Sequence, residues 1–471
     1  MSETVTVPGA NGTPVSVQLN SAASAARAGQ ISQNLNASLA AGTLQVNETN
    51  PVQVTKPEGQ FIFTTAGNAL DTATYGYNFV TDPVGGNAVT VGSGASFISG
   101  GAGDTIFGSG GDTIAAGAGN NSIVVGSAPG AGNNIVTADG NDTISATGSS
   151  TVDAGLGANV LFTANSAGNL TDVLSSGQDT IVASGSGNQV LIVSGNNGLV
   201  VADQGAGGAT SVDATGAGIG ILGAGAGSLS VTVAGANDTV SAGSAGPTTV
   251  VASSSAVVFG GPGTLQFIGE STGTPTVIGY GGSQENLQIG SGGAVYVDNG
   301  AGANVTSGAG QATIFGAADA VVNIFGSQAG ALYVAGPGNE TVNASQSTIS
   351  GASGNQFWAG SDPTGHNLMA AGSGTDTLCA GAGNDTLAGG LGSDAFVFFK
   401  SQTAGTNVTT VTNFNSSDSV FLVNYNETTQ QVLDTANVGG VGLTLTLSDN
   451  TKITFAGVNQ VSTLWGHILS G

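Results

Sequence analysis

Three aspartates, Asp376, Asp385 and Asp394, stand nine residues apart in a chain where charge is scarce. Each closes a glycine-rich run and is followed two residues later by a large apolar side chain. The runs are Ala371-Gly-Ser-Gly-Thr-Asp-Thr-Leu-Cys379, Ala380-Gly-Ala-Gly-Asn-Asp-Thr-Leu-Ala388 and Gly389-Gly-Leu-Gly-Ser-Asp-Ala-Phe-Val397. Only 7% of the 471 residues are charged, 28 acidic against four basic (Arg27, Lys56, Lys400 and Lys452), for a formal net charge of −24. That balance argues against binding to nucleic acid or insertion at an anionic membrane surface. Cys379 is the single cysteine, so no intramolecular disulfide can staple the chain, and a bound metal is the natural substitute. With only His366 and His467, both read as surface residues, an H-E-x-x-H zinc site is absent. Gly269-Glu-Ser271-Thr-Gly273 fits the nucleophile pattern G-x-S-x-G, but 82 glycines make a chance match expected.

The three abutting units fit G-G-x-G-x-D-x-U-x, where U is a large apolar residue, except that Ala replaces the first Gly in two of them. In this they resemble the RTX (repeats-in-toxin, or hemolysin-type) calcium-binding family. The resemblance implies that each nonapeptide is half a coil of a parallel β-roll, with calcium held between glycine-rich turns stacked on one side. Calcium is a hard cation wanting six to eight oxygens; a glycine-rich turn can aim several carbonyls at one point while Asp supplies charge. Units 18 residues apart then share a side. Asp376 and Asp394 are therefore expected at one site, with Gly372, Gly374, Gly390 and Gly392. Asp385, with Gly381 and Gly383, faces the other side, where Asn367 is its partner. Leu378, Leu387 and Phe396 should point inward, and Cys379, at position nine, outward. Elsewhere the pattern is partial. Asp104, Asp112, Asp142, Asp179 and Asp238 keep the acid; Asn159, Gln189, Asn304, Ala312 and Glu340 replace it, and those units are expected to keep strand and turn without a metal.

The elements that must position these residues recur along most of the chain. From about Phe97 to Val397 short apolar clusters return every 8 to 10 residues, with glycine between them, as in a solenoid. Among the marker residues are Val160, Val190, Val295, Leu332 and Leu368. Each cluster reads as a strand of about three residues, rich in β-branched side chains, that buries its apolar residue only when stacked on its neighbours. The fold class is thus all-β, a parallel β-solenoid of β-roll or β-helix type; a sandwich, whose strands would be longer, is the competing reading. Residues 1–84 read as a cap or assembly region, with strands at Val5–Val7 and Val15–Leu19. Its helix spans Ala22–Ala41 with Ala28, Ile31, Leu35 and Leu39 on one face, and strands follow at Phe61–Phe63 and Tyr75–Phe79. Residues 85–397 read as the solenoid and 398–471 as a β-rich tail with a hairpin turn at Asp449-Asn450. That tail resembles the one following the repeats in RTX proteins, where an uncleaved signal directs type I secretion. The start of the chain shows no cleaved secretory signal, and no apolar run reaches the length of a membrane span.

These readings converge on an extracellular or cell-surface calcium-binding protein, non-enzymatic and structural, as in a surface layer, fibre, adhesin or biofilm matrix, folding on calcium after export. Its expected partners are calcium and either further copies of itself or cell-surface and matrix polysaccharide. The alternatives are a secreted carbohydrate-active enzyme on a β-helix, which a cleft with convergent carboxylates would betray, and a glycan- or ice-binding module.

Overall fold

The computed structural model describes residues 3–471 except 128–130, 138–139, 166–169, 206–207, 244, 271–272, 301, 319, 326–330, 345–346, 353–355, 361–365, 382 and 401–407. Ser271 and Asp362–Gly365, the start of the unit containing Asn367, therefore lie outside the described residues. The chain divides into two compact units, Met1–Thr248 and Thr249–Gly471.

In the first unit the N-terminal strands Glu3–Val7 and Val15–Leu19 form an antiparallel hairpin. The helix Ala22–Ala40 follows, capped by Ser21, whose Oγ accepts from the Ser24 N–H at 3.0 Å. Its buried face, Ala25, Ala28, Ile31 and Leu35, packs with Val7, Val17 and Leu19 against Leu44, Ile98 and Ala115. Leu39, expected on that face, is exposed. The chain that follows alternates between two parallel sheets, most strands pairing with the strand two ahead, while Leu44–Asn47 pairs with the next strand, Glu58–Ile62. In one sheet Ile106, Ile123, Ile144, Leu161, Ile181, Val200, Ile221 and Val240 stand in register, all buried. This apolar column is what the recurring clusters encode.

The second unit repeats the arrangement. Thr377–Cys379, Ala395–Phe399, Ser419–Val423 and Ile468–Ser470 pair in parallel within one sheet, Leu368–Ala370, Thr386–Ala388 and Val408–Thr412 in the other. Strand Lys452–Ala456 joins the second sheet and folds back antiparallel on Gly442–Thr446. The turn between them contains Asp449 and Asn450, the latter at φ 69°. Both units are thus β-solenoids, and in-register parallel pairing excludes the sandwich.

Several expectations are corrected. The parallel ladder does not begin at residue 85: Leu44–Asn47, Glu58–Ile62 and Phe79–Asp82 already belong to it. It does not end at 397 either, since Ala395–Phe399 continues through Ser419–Val423 to Ile468–Ser470. Tyr75 ends a short helix, Thr72–Tyr75, capped by Asp71. Strands from 160 to 233 reach six residues where three were expected. Some marker residues are off by one. Leu161, Leu191, Tyr296, Tyr333 and Met369 are buried, whereas Val190 and Leu368 are exposed, because a single-residue slip reverses the face of a strand. Leu378, Leu387 and Phe396 do point inward, fully buried. Cys379 is buried too; its strand ends there, and the alternation of faces ends with it.

The core column carries a direct test. Leu387→Ala, at a fully buried position, is expected to cost about 2–5 kcal/mol in urea titrations at fixed calcium. Leu391→Ala, where the side chain is 87% exposed, should stay within about 0.5 kcal/mol. Equal effects would mean that the inward residues do not form a packed core.

Candidate metal centre

The residue two positions before each buried apolar side chain sits at the mouth of its strand, with its side chain turned inward. Strands in a ladder are about 4.8 Å apart. A short carboxylate or amide in that slot therefore reaches the backbone N–H of the same slot one coil earlier. In the first unit this produces a column of alternating chemistry: Asn87, Asp104, Asn121, Asp142, Asn159 and Asp179, all buried. Each Oδ1 accepts from the preceding slot's N–H, at 3.1 Å (Asn87 to Asp104), 3.1 Å (Asp104 to Asn121), 2.8 Å (Asn121 to Asp142), 2.9 Å (Asp142 to Asn159) and 2.7 Å (Asn159 to Asp179). The Asn121 and Asn159 amides also donate to the Asp142 and Asp179 carboxylates, at 3.0 and 2.9 Å. The asparagines that replace aspartate thus supply the donors that a buried carboxylate requires. Sequence reasoning treated Asn159 as a lost ligand and missed this role.

The second unit brings the predicted residues together on two sides, as their spacing implies. On one side, Asn367 donates from both N and Nδ2 to Asp385 Oδ1, each at 3.0 Å, and the Gly381 N–H donates to Asp385 Oδ2 at 2.9 Å. Gly383 is buried in the same turn. The next slot on this side is Thr409. Asp385 is therefore a single carboxylate with three protein donors.

The other side is a column of carboxylates alone. The Asp376 N–H donates to Asp394 Oδ1 at 3.1 Å, and the Asp394 N–H to Asp418 Oδ1 at 2.9 Å. All three are buried, and Asp394 Oδ2 has no hydrogen-bond partner among the described residues. Asp418, held by Asn415 N and Nδ2 at 2.8 and 3.1 Å, was missed because it follows Asp394 by 24 residues rather than 18. Burial pushes the Asp394 carboxyl up to about 6, with the charges of Asp418 and Asp376 adding to it and the Asp376 N–H opposing. Burial likewise raises Asp142 and Asp104 to about 6.

The glycines beside this column are close-packed. A Cβ on Gly392 would lie 1.4 Å from the Gly374 carbonyl oxygen, and one on Gly390, at φ 83°, 2.1 Å from that of Gly372. Only glycine permits turns to stack so closely. Among the described residues no group of three or more His, Cys, Asp or Glu side chains could ligate one ion. An ion here would draw most of its oxygens from turn carbonyls. The orphaned Asp394 oxygen, the raised carboxyl and the oxygen-only surroundings fit a hard cation on this side.

The remaining candidates fall elsewhere. Cys379 is free, and burial pushes its thiol up to about 12, which makes it an inert thiol. His366 is exposed, with Nδ1 3.1 Å from the Asn384 carbonyl. His467 is half-buried rather than a surface residue: Nδ1 is 2.8 Å from the Asp418 carbonyl, and the ring packs edge-on against Phe414. No helix among the described residues is long and apolar enough to cross a membrane.

A family model described as the RTX calcium-binding nonapeptide repeat matches residues 108–127 and 364–396, in four copies. The second stretch contains Asn367, Asp376, Asp385 and Asp394. The first contains Asp112, whose carboxylate accepts from the Ala95 and Gly110 N–H groups at 3.1 and 2.9 Å. No curated protein and no solved structure matches the chain. The chain thus carries RTX calcium-binding nonapeptide repeats, set in a parallel β-solenoid.

Proposed function

We propose that the protein is a secreted, non-enzymatic calcium-binding structural protein of the cell surface or extracellular matrix, whose C-terminal coils fold on calcium after export. The observation that carries the calcium reading is the Asp376–Asp394–Asp418 column. Three buried carboxylates are stacked one rung apart, with no asparagine between them. From residue 57 to 399 the chain has no lysine or arginine, and Lys400 directs its Nζ to the Tyr425 ring, 5.9 Å away. Stacked like charges in a poorly solvated turn destabilise the fold unless they are neutralised. Bound calcium would supply that neutralising charge. Asp376 and Asp394 would hold it with carbonyls of the Gly372–Gly374 and Gly390–Gly392 turns. The Asp418 carboxylate stands as the third charge of the column. Extracellular sites typically work at about 10⁻⁴–10⁻³ M calcium. Occupied only in the folded state, they stabilise it after export. The structural reading is supported by where the carboxylates are spent: Asp104, Asp142, Asp179, Asp385 and Asp394 face stacked backbone rather than a shared cleft. Self-association or attachment to matrix polysaccharide is the corresponding role.

Chelation is expected to lower the melting temperature and millimolar calcium to restore it. Asp394→Asn should raise the chelated melting temperature by about 2–4 °C and shrink the calcium increment. Asp385→Asn should change the increment less. Conversely, Asn159→Asp turns an alternating stretch into three consecutive carboxylates and should add a calcium-dependent increment. Identical melts with and without calcium would sink the proposal.

The raised carboxyls set a pH dependence. A group whose pKa rises on folding contributes stability that is present below its unfolded value and lost as pH climbs through the folded value. With Asp104, Asp142 and Asp394 raised from 3.8 to about 6, the chelated protein should lose stability between about pH 4 and 6. It should melt higher at pH 5 than at pH 7.5, and calcium should narrow the gap. A chelated protein that melts higher at pH 7.5 would contradict this.

A further inference from the structure

A second carboxylate pair lies inside the second unit, away from the turns that carry the repeats. Glu285, two residues before buried Leu287, occupies the slot that aspartate takes in the nonapeptides; its side chain is buried, as are Tyr296 and Asp298. The Tyr296 hydroxyl is 3.0 Å from Glu285 Oε2 and 3.4 Å from Asp298 Oδ1. A hydroxyl has one hydrogen, so it can donate to only one of them. Burial and the two neighbouring charges raise the tyrosine's pKa, so it stays a neutral donor. The other donors are backbone. The Tyr280 N–H reaches Glu285 Oε1 at 2.8 Å, and the Gly300 and Gly302 N–H groups reach Asp298 Oδ1, each at 3.2 Å. Asp298 is 5% exposed, and its Oδ2 is shut off from solvent without a hydrogen-bond partner among the described residues.

Glu340 and Tyr333 offer a comparison. Glu340 also takes the aspartate slot, and there the carboxylate meets one tyrosine hydroxyl, on which the Asp298 charge also acts. Tyr333 donates to Oε2 at 2.7 Å and the Gly336 N–H to Oε1 at 2.6 Å. The Glu285 cluster has the same parts plus one carboxylate too many. A proton on Glu285 or on Asp298 Oδ1 would still leave Asp298 Oδ2 bare, and a proton on Oδ2 would find no acceptor. A buried water could supply a donor but not a charge, and no lysine or arginine occurs between 57 and 399. The wall beside the cluster is backbone: a Cβ on Gly279 would come within 2.8 Å of the Tyr296 hydroxyl and 3.3 Å of the Glu285 carboxyl.

We propose that Glu285, Tyr296 and Asp298 form a second, internal site for a hard divalent cation such as calcium, enclosed as the solenoid folds and separate from the turn column. The test uses the full chain with Asp376→Asn and Asp394→Asn, so that failure here is distinguishable from failure of the turn site. It is refolded with terbium(III) as the probe and dialysed against chelator. Tyrosine-sensitised terbium emission is expected, with retained metal measured independently. Emission and retained metal should both be lost in Asp298→Asn and in Glu285→Gln, and calcium present during refolding should compete. Glu285→Gln keeps the side-chain volume, and near-ultraviolet circular dichroism checks that each variant is folded. Emission unchanged in both variants overturns the site. So does a parent that retains no terbium, in which case a proton and water hold the pair.

Discussion

The structure depends on one constraint: a chain that turns carboxylates inward without basic side chains to meet them. Between Lys56 and Lys400 there is no lysine or arginine, yet Asp104, Asp142, Asp179, Asp238, Glu285, Glu340, Asp376, Asp385 and Asp394 are all buried. Burying a lone carboxylate is costly unless hydrogen bonds, a proton or a counter-charge compensate. Backbone N–H groups from the preceding coil serve Asp104, Asp142, Asp179, Asp238, Asp385 and Asp394, and N–H groups of their own turns serve Glu285 and Glu340. What differs from coil to coil is the second partner: an asparagine amide at Asp142 and Asp179, a tyrosine hydroxyl at Glu340, and only further carboxylates at Asp394.

A solenoid magnifies this choice, because each slot is repeated about 4.8 Å further along the ladder. Alternating Asn and Asp doubles the distance between charges and inserts an amide dipole between them. Such a column carries half the charge, and its amides serve Oδ1 of Asp142 and Asp179, so coils that have lost the acid at every second slot still stack in register, although Asp142 Oδ2 has no partner among the described residues. Consecutive Asp residues do the opposite: each raises the next, as Asp418 and Asp376 do for Asp394. Under the calcium proposal, metal dependence would be a property of neighbouring slots rather than of one repeat, and a single Asn–Asp exchange would move a coil from one class to the other.

Much of this was legible from spacing. Nine-residue units fixed which residues face inward at Leu378, Leu387 and Phe396, and the 18-residue interval paired Asp376 with Asp394 and Asn367 with Asp385. Where spacing stretched, reading failed. Asp418 completes the column from 24 residues away, across a longer coil that no nonapeptide frame contains. Strands with apolar residues on both faces, such as Val190-Leu191-Ile192-Val193, do not declare their register, so the outward Val190 was taken for the inward Leu191. The asparagine slots were invisible for a different reason. Their role lies in donating to a neighbour one coil away, and nothing in the local sequence distinguishes that from an ordinary polar turn.

The position of the all-carboxylate column then acquires a meaning. Asp418 immediately precedes Ser419–Val423, the strand that pairs with Ala395–Phe399 on one edge and Ile468–Ser470 on the other. Its carbonyl faces His467 Nδ1, and the His467 carbonyl accepts the Val420 N–H at 2.7 Å. The third charge of the column is thus fixed by the last residues of the chain, while the first two come from the matched repeats. Whatever neutralises that column favours the closing strand as well as the repeat turns. Under the calcium proposal the ion would set when the C-terminal coils close, while the apolar ladder with its Asn–Asp column holds the coils of the first unit in register.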